Sequence, residues 1–365
     1  MNALVIGGTG PTGHFIVNGL HRRGFDVTIL HTGNHELAEN PNDIEHIHTD
    51  PYSIDALTTA LEGRAFDVCI AAYGRLRATA ELLAGRVGKF VSIGGVPAYR
   101  GYMHPSLDAP AGLPVPTRED AALVRDPELD DKGFRIVRTE ESLFEAQPDA
   151  AHFRYPYVYG PYQLVPREWC IVRRIRDGRE TIILPDDGLT LQSFGYAENL
   201  AHAVLLGVDH PERSAGQIYN CADEETLSLR QVVEITAAAL AHPLEIISMP
   251  WALAAPARPL VMQPLPTHRV LDISKAREQL GYRDVVPARE AIARTARWLN
   301  EHPPEPGALE ETCLQDPFDY AAEDRLIASW RSALGGLTTV EFKEPPGYGL
   351  AYSGPGGRSP SKQFE

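Results

Sequence analysis

Residues 2–13 of the chain read NALVIGGTGPTG, and they carry the strongest indication of the fold. An apolar run ends in a turn with four glycines, and residues 14–23 then have the apolar spacing of a helix. Glycine lets the backbone turn sharply and approach a ligand closely, and the free N–H groups at the start of a helix bind anions. A strand, a glycine-rich turn and a helix in this order predict a site for the pyrophosphate of a dinucleotide.

The residues that follow continue an alternation of strands and helices. The predicted strands span residues 26–30, 44–48, 66–72, 89–93 and 151–155, and the predicted helices between them span residues 14–23, 54–61, 79–84 and 134–145. This alternation is typical of β-α-β units, in which parallel strands carry helices on both faces of the sheet. We therefore predict an α/β fold with a doubly wound parallel Rossmann sheet.

The sequence divides into three predicted regions. Residues 1–160 form the dinucleotide-binding Rossmann domain, to which a later part of the chain returns. The alternation becomes irregular after Gly160-Pro161, so residues 161–300 are predicted to form a smaller α+β substrate domain. Its predicted elements are helices at 169–177, 197–208, 228–241 and 288–300 and a strand at 218–220. Residues 301–365 are rich in proline and glycine, which predicts a C-terminal extension that partly wraps the body and partly frays.

The composition excludes several functions. The chain has 365 residues, with 34 basic against 49 acidic side chains and a formal net charge of −15. Such an excess of acid argues against binding to nucleic acid or to an anionic membrane. No apolar stretch is long enough to cross a membrane, and the four cysteines lie far apart. We expect a reduced cytoplasmic protein that acts on a small molecule.

Residues near the strand ends are the expected contacts of the cofactor. The end of the second strand, His31-Thr32-Gly33-Asn34-His35, has neither the carboxylate typical of NAD sites nor the arginine typical of NADP sites, so NAD and NADP both remain open. Asp50 either meets the adenine end or caps a loop. The expected cofactor contacts are Gly7, Thr9, Gly10, Pro11, Thr12, Gly13, His31, Asp50, Ala72, Tyr73 and Pro156.

The sequence resembles the extended short-chain dehydrogenase/reductase family, and within it the NAD-dependent epimerase/dehydratase branch. The resemblance covers about residues 1–300 and rests on the glycine turn and on residues 46–50, 90–99, 154–161 and 194–200. It implies a homodimer that binds a nicotinamide nucleotide in the N-terminal domain and a substrate, often a nucleotide sugar, between the two domains.

The acid–base residues of that family are missing from this chain. The family uses a Ser or Thr and a Tyr-x-x-x-Lys pair, in which the lysine lowers the tyrosine pKa. Between Met103 and Arg154 there is no tyrosine, and the only lysine is Lys132. The best register places Phe134 at the tyrosine position, Arg138 at the lysine position and Gly95 at the serine position. The usual proton transfer therefore cannot run in its standard form.

Several other polar residues are candidates for the site. Tyr99 and Tyr157 follow strand ends, where ligands of α/β sheets bind, and with Arg138 they form the predicted catalytic set. Other expected pocket residues are Tyr73, Tyr102 and His104, and candidates for binding an anionic substrate are Arg75, Arg154, Arg167 and Gln192. His46 and His48 share a strand face, but no third ligand is evident nearby, so we expect no metal.

Two functions compete. The first is an NAD(P)-dependent oxidoreductase or epimerase-like enzyme on a small polar organic substrate, with a non-standard acid–base set. The second is a non-catalytic dinucleotide-binding sensor or regulatory protein, which the loss of the three groups favours. RNA binding fits poorly with the net charge of −15.

Overall fold

The computed structural model describes residues 1–34, 36–72 and 76–344. Met1–Phe318 form one unit, and the chain from Asp319 onward belongs to a second. The strands are β1 (Asn2–Ile6), β2 (Asp26–His31), β3 (Glu45–His48), β4 (Phe66–Ala72), β5 (Val87–Gly95), β6 (Ala151–Tyr155), β7 (Tyr157–Tyr159), β8 (Thr181–Pro185), β9 (Phe194–Tyr196), β10 (Gln217–Asn220) and β11 (Glu245–Met249). The helices are α1 (Gly13–Arg22), α2 (Ile54–Ala60), α3 (Leu76–Leu82), α4 (Asp131–Ala146), α5 (Trp169–Arg176), α6 (Ala197–Asp209), α7 (Leu229–Ala239), α8 (Arg258–Val261), α9 (Ser274–Leu280), α10 (Ala288–Glu301), α11 (Leu309–Thr312) and α12 (Tyr320–Gly335).

Seven parallel strands form the central sheet, in the order β10-β6-β5-β4-β1-β2-β3. The direction in which successive strands are added reverses between β1 and β4, and ligands of such sheets bind at the carboxyl ends of the strands beside that reversal. The glycine turn follows β1 directly, so it lies at this point. The predicted doubly wound parallel sheet is confirmed.

Alternating residues of the strands build two apolar layers. Ala3 and Val5 of β1 pack with α1 and α6 on one face of the sheet, whereas Leu4 and Ile6 pack with α2 and α3 on the other. This alternation follows from the two-residue period of a strand. The α1–α6 contact is close, because a Cβ atom at Gly19 would lie 2.2 Å from the Leu205 side chain. Both layers hold the carboxyl ends of the strands in fixed positions.

Residues 161–300 contain both helices and short strands. A second apolar cluster joins α5, α7 and α10, and two strand pairs, β7–β9 and β8–β11, lie outside the central sheet. The three-residue strands β7 and β9 were too short for a pattern in the sequence. The chain returns to the main sheet at β10, which pairs with β6. The boundary between residues 160 and 161 stays a prediction, since Met1–Phe318 form one unit.

The C-terminal extension contains more helix than its composition predicts. Residues 320–335 form α12, whose first turn is capped by the Asp319 carboxylate accepting the Ala322 N–H at 3.0 Å. This segment has no proline, and the prolines and glycines on either side of it hid its helical pattern. Residues 301–318 are tied to α5 by a buried ion pair, Arg174 to Asp316, at 2.7 Å. The predicted fraying at residues 345–365 lies outside the described residues.

Within the described residues, no helix is long and apolar enough to span a membrane.

Candidate active site

The glycine turn has the geometry of a phosphate cradle. Gly7 and Gly8 have φ values of +116° and +70°, in the region that favours glycine, and a Cβ atom at Gly13 would lie 2.5 Å from the carbonyl carbon of Gly8. The position of a Cβ atom at Gly10 is open, with nothing within 4 Å. The Thr12 side chain makes no capping hydrogen bond at the start of α1. The amino-terminal end of α1 and the open space at Gly10 therefore fit a pyrophosphate.

The adenosine end of the predicted site is formed by the ends of β2 and β3. The Asp50 carboxylate accepts the Tyr52 N–H at 2.8 Å, so this aspartate caps a loop, which was one of its two predicted roles. His31 is the last residue of β2, and its side chain is buried. Burial and the neighbouring His46 and His48 lower the His31 pKa. Contact of Asp50 and His31 with a cofactor stays a prediction.

The sequence analysis expected no third metal ligand near His46 and His48, and this expectation is wrong. Ring nitrogens of His31, His46 and His48 and a carboxylate oxygen of Glu36 all lie within 4.8 Å of one another. The sequence pattern missed this because His31 comes from the neighbouring strand and Glu36 from the connection between the two strands.

A cavity of about 860 Å³ lies at the carboxyl ends of β5 and β6. Its volume is within the range of small-molecule sites, roughly 300–1,000 Å³. It is lined by Leu76, Ile93, Gly94, Gly95, Pro97, Tyr102, Met103, Lys132, Arg135, Ile136, Thr139, Glu140, His152, Tyr155, Pro156, Tyr157, Val165, Gln192, Met262 and Arg269. Of the predicted site residues, Tyr102, Pro156, Tyr157 and Gln192 are in this wall, whereas Tyr99, His104 and Arg138 are not. Tyr73 and Arg75 lie outside the described residues.

The face of α4 that lines the cavity differs from the predicted one. Lys132, Ile136 and Glu140 follow one another at four-residue spacing on the lining face, whereas Phe134 and Arg138 are not in it. Arg138 is half-exposed and forms a surface ion pair with Glu141 at 2.6 Å. The predicted catalytic role of Arg138 is therefore not supported, because the register of the helix was misplaced. Lys132, which the sequence analysis had passed over, is on the cavity face.

Tyr99 is also placed away from the cavity. It is fully buried, and its hydroxyl donates to the Asn220 Oδ1 atom at 2.6 Å. The Arg154 guanidinium stacks on its ring at 4.8 Å. Burial raises the Tyr99 pKa to about 12, so this phenol keeps its proton near neutral pH. The predicted catalytic role of Tyr99 is not supported either, since a residue after a strand end can turn into the core as well as into the pocket.

Tyr157 lines the cavity and is held in place. Its hydroxyl donates to the Val165 carbonyl, and its ring packs edge-on against Phe194. Burial raises the Tyr157 pKa well above its usual value, so the group stays protonated. Tyr157 can therefore shape the wall and accept a hydrogen bond, but it cannot donate one to a ligand because its hydroxyl already donates to Val165.

A buried polar network forms one wall of the cavity. Glu140 accepts two hydrogen bonds from Arg154, at 2.9 and 2.7 Å. The Nδ1 atom of His152 is 2.7 Å from Ser92 Oγ, and its Nε2 atom is 3.2 Å from a Glu140 oxygen without hydrogen-bond alignment. A Cβ atom at Gly94 would lie 2.6 Å from the His152 ring. The imidazole of β6 thus occupies the space that a side chain at position 94 would need.

This network fixes the charge of Glu140. Burial alone would raise the Glu140 pKa, but the two hydrogen bonds and the charge of Arg154, together with the nearby His152 ring, outweigh it and bring the pKa to about 2. The predicted role of Arg154 as an anion-binding residue is therefore not supported, because its guanidinium is already paired inside the protein. Arg167 is likewise paired with Glu168, at 2.7 Å.

Arg269 is a cavity residue that the sequence analysis missed. It is 4% exposed, and its Nε atom has no hydrogen-bond partner among the described residues. Its guanidinium is 4.5 Å from the centre of the Tyr102 ring, and burial lowers its pKa. Gln192, predicted to bind the substrate, is the β-bridge partner of Arg269 and lines the same cavity. No spacing in the sequence links these two residues, since they are 77 positions apart.

Comparisons with known proteins agree with this architecture. Residues 141–222 match the NAD dependent epimerase/dehydratase family. The 3beta-hydroxysteroid-dehydrogenase/decarboxylase isoform 2 of Arabidopsis thaliana is 30% identical over 168 residues, which cover 38% of this chain and 29% of that protein. The match spans less than half the length of each curated relative.

Solved structures share the fold over most of the chain. UDP-glucose 4-epimerase of Thermotoga maritima, solved with UDP-glucose, has a TM-score of 0.65 and 16% identity, and the match covers 83% of this chain and 99% of that one. UDP-glucuronic acid 4-epimerase of Bacillus cereus, solved with NAD, has a TM-score of 0.63 and 16% identity, with the same coverage.

The chain thus shares the fold of these solved 4-epimerases. Residues 141–222 match the NAD dependent epimerase/dehydratase family, and the resemblance predicted from the motifs is confirmed.

Proposed function

We propose that the chain is an NAD(P)-dependent oxidoreductase or epimerase-like enzyme with a non-standard acid–base set. The observation that carries this proposal is the combination of a glycine cradle at the start of α1 with a cavity of about 860 Å³ at the carboxyl ends of β5 and β6. The family match and the NAD complex among the structural neighbours support a nicotinamide dinucleotide. Such a cofactor supplies hydride transfer.

The residues of this chain would hold that cofactor at two places. Gly10 and the first N–H groups of α1 would bind its pyrophosphate, and Pro156 would border its nicotinamide end. Either NAD or NADP suits the end of β2, where the described residues Thr32, Gly33 and Asn34 are exposed and offer neither a carboxylate nor a guanidinium.

Lys132 is the residue that we assign to the reacting oxygen of the substrate. It is exposed on the cavity face of α4, and an ammonium group donates hydrogen bonds to an oxygen on which negative charge develops. Tyr157 would accept a hydrogen bond from the substrate, and the pairing of Glu140 with Arg154 and His152 would keep the wall of the cavity rigid. Glu140 and His152 are positioning residues, since their polar atoms are buried.

The other residues that line the cavity indicate the class of substrate. Leu76, Ile136, Met262 and other apolar side chains suit a carbon skeleton, whereas the buried cation of Arg269 suits a carboxylate or phosphate. We therefore propose an organic substrate that combines an apolar part with an anionic group. This refines the small polar substrate expected from the sequence.

Turnover of a substrate panel tests the proposal. UDP-sugars and hydroxysteroids, the compounds named for the relatives, would be incubated with the protein and each dinucleotide while the reduced cofactor and epimeric products are followed. Lys132→Gln is expected to lower kcat at least tenfold, whereas Arg138→Gln, on the neighbouring face of the same helix, should leave it unchanged. Arg269→Gln is expected to raise KM for anionic substrates without changing dinucleotide affinity.

The alternative function, a dinucleotide-binding sensor, is favoured by the absence of the Tyr-x-x-x-Lys pair. It predicts tight binding of the dinucleotide with no turnover of any substrate. Equal activity of the Lys132→Gln variant and the natural protein would instead remove Lys132 from the mechanism.

A further inference from the structure

Three histidines and one glutamate meet at the edge of the central sheet, apart from the cavity described above. His31 Nε2 is 3.0 Å from His46 Nδ1, and His48 Nε2 is 3.0 Å from Glu36 Oε1. The same Glu36 oxygen is 3.8 Å from His31 Nε2 and 3.7 Å from His46 Nδ1. One carboxylate oxygen therefore faces the nitrogens of all three rings.

The fold brings these side chains together from separate parts of the sequence. His46 and His48 alternate along β3, so both point to the same face of the sheet. The parallel pairing of β2 with β3 sets His31 opposite His48. Glu36 comes from the connection between β2 and β3, and its carboxylate oxygen lies 3.0 Å from His48 Nε2.

The exposed fraction of the four side chains increases from the sheet towards solvent. The side chain of His31 is 5% exposed and that of His46 is 22% exposed, whereas His48 and Glu36 are each 54% exposed. An ion could thus reach the cluster from solvent and would be held from below by the buried ring of His31.

We propose that these four residues form a binding site for a Zn²⁺-type divalent transition-metal ion. Zinc binds imidazole nitrogen and carboxylate oxygen in tetrahedral sites at about 2.0–2.2 Å. Ligand atoms around such an ion are about 3.4 Å apart, by the geometry of a tetrahedron with these bond lengths. The four atoms here lie between 3.0 and 4.8 Å from one another, so small side-chain shifts complete the geometry. Three imidazoles and one carboxylate also suit zinc better than the oxygen-preferring Mg²⁺ or Ca²⁺.

Binding of the ion requires a rearrangement of protons within the cluster. The His31–His46 and His48–Glu36 contacts each need one ring proton between the two atoms. When the ion binds, these protons move to the outer ring nitrogens, because a neutral imidazole binds a metal through its unprotonated nitrogen. His31 Nδ1 would then carry the ring proton, so its weak 3.3 Å contact with the Gly33 N–H would be given up. One long hydrogen bond is a small loss beside four metal–ligand bonds.

Zinc titration of the full-length chain tests the site. The protein would be treated with a chelator, dialysed, and titrated with Zn²⁺ in a calorimeter without any dinucleotide, followed by metal analysis of the gel-filtered product. We expect one zinc per chain and a rise in Tm on binding. Because no cofactor is present, failure here and failure of the proposed enzymatic function are distinguishable.

Variants identify the ligands. His46→Ala and His48→Ala are expected each to weaken zinc affinity at least tenfold, and the double variant should abolish stoichiometric binding. His21→Ala, which removes a histidine of α1 outside the cluster, is the matched control and should bind zinc as the natural protein does. Both ligand histidines are partly exposed, and circular dichroism of the metal-free variants would verify that they fold.

The outcomes decide the proposal. Uptake of Co²⁺ with the visible absorption bands of a four-coordinate site, lost in the double variant, would support it further. No zinc uptake by the natural protein, or uptake that the double variant retains, would overturn it. If the double variant does not fold, Glu36→Gln on the exposed connection gives the same test.

Discussion

The glycine turn and the α4–β6 wall of the cavity differ in what holds them. The turn is a backbone structure, in which Gly7 and Gly8 take positive φ values and Gly13 packs directly on Gly8. The wall is a side-chain structure, in which Glu140 and Arg154 form a buried pair and the His152 ring fills the space beside Gly94. The turn has the glycine spacing of the family that the sequence resembles, whereas the wall lacks that family's Tyr-x-x-x-Lys pair. A backbone turn and a side-chain wall can thus change separately on one fold.

The largest effect is expected at the buried pair of the wall. Replacing Arg154 by methionine leaves the Glu140 carboxylate buried without its partner, and such changes cost about 3–5 kcal/mol of unfolding free energy. Urea denaturation of Arg154→Met measures this. The double variant Glu140→Gln/Arg154→Met should recover much of the loss, because it removes the stranded charge. A loss below about 1 kcal/mol in the single variant would show that the pair is no more important than a surface one.

Acid should also lower the unfolding free energy through this wall, but by less than Arg154→Met does. Protonation neutralises Glu140, whereas the substitution leaves its charge buried without a partner. The pKa of Glu140 in the folded state, about 2, lies below the value of about 4.3 in an unfolded chain. Its contribution to stability is therefore full above about pH 5, declines through the unfolded-state pKa, and is lost as the pH falls to about 2. Urea titrations across this window compare the natural protein with Glu140→Gln. Identical pH slopes for the two proteins would contradict the assignment.

A methyl group in the glycine turn should destabilise the protein at Gly13 but not at Gly10. A Cβ atom at Gly13 would press on the Gly8 backbone, and overpacking of this kind costs about 1–3 kcal/mol. At Gly10 the space is open, so Gly10→Ala should change the unfolding free energy by less than about 0.5 kcal/mol. Thermal and urea melts measure both variants. Equal destabilisation by the two would show that the close contact at Gly13 is unimportant.

The smallest effect is expected at the surface of α4. Arg138→Met removes an ion pair with Glu141 between half-exposed side chains, and such pairs contribute about 0–1 kcal/mol. Its urea midpoint should stay close to that of the natural protein, in contrast to Arg154→Met. A loss as large as that of the buried pair would mean that Arg138 has a structural role that its exposure does not suggest.

The sequence predicted the glycine turn and the central sheet because local patterns determine them. A run of apolar residues and the glycines of a sharp turn are visible in consecutive residues, and β1 and α1 begin within one residue of their predicted bounds. The β7–β9 pair escaped prediction because a strand of three residues is too short to show a period.

The side chains of the candidate site were harder to predict because long-range packing selects them. Phe134 and Arg138 are four residues apart, as the Tyr and Lys of the family motif are. In the structure, however, Lys132 and Ile136 are the residues of α4 that face the cavity. Tyr99 follows a strand end but turns into the core, towards Asn220. Local spacing defines neither the rotation of a helix nor the direction of a loop residue.

Dinucleotide binding at the glycine turn is the central claim, and calorimetry of the full chain with NAD and NADP tests it most directly. The natural protein should bind at least one of them. Gly10→Ala, folded as stably as the natural protein, should bind at least tenfold more weakly, because its methyl group stands where the pyrophosphate approaches. Gly335→Ala, another glycine with open space around it, should bind normally. Absence of binding to either dinucleotide, or unchanged affinity in Gly10→Ala, would contradict the account.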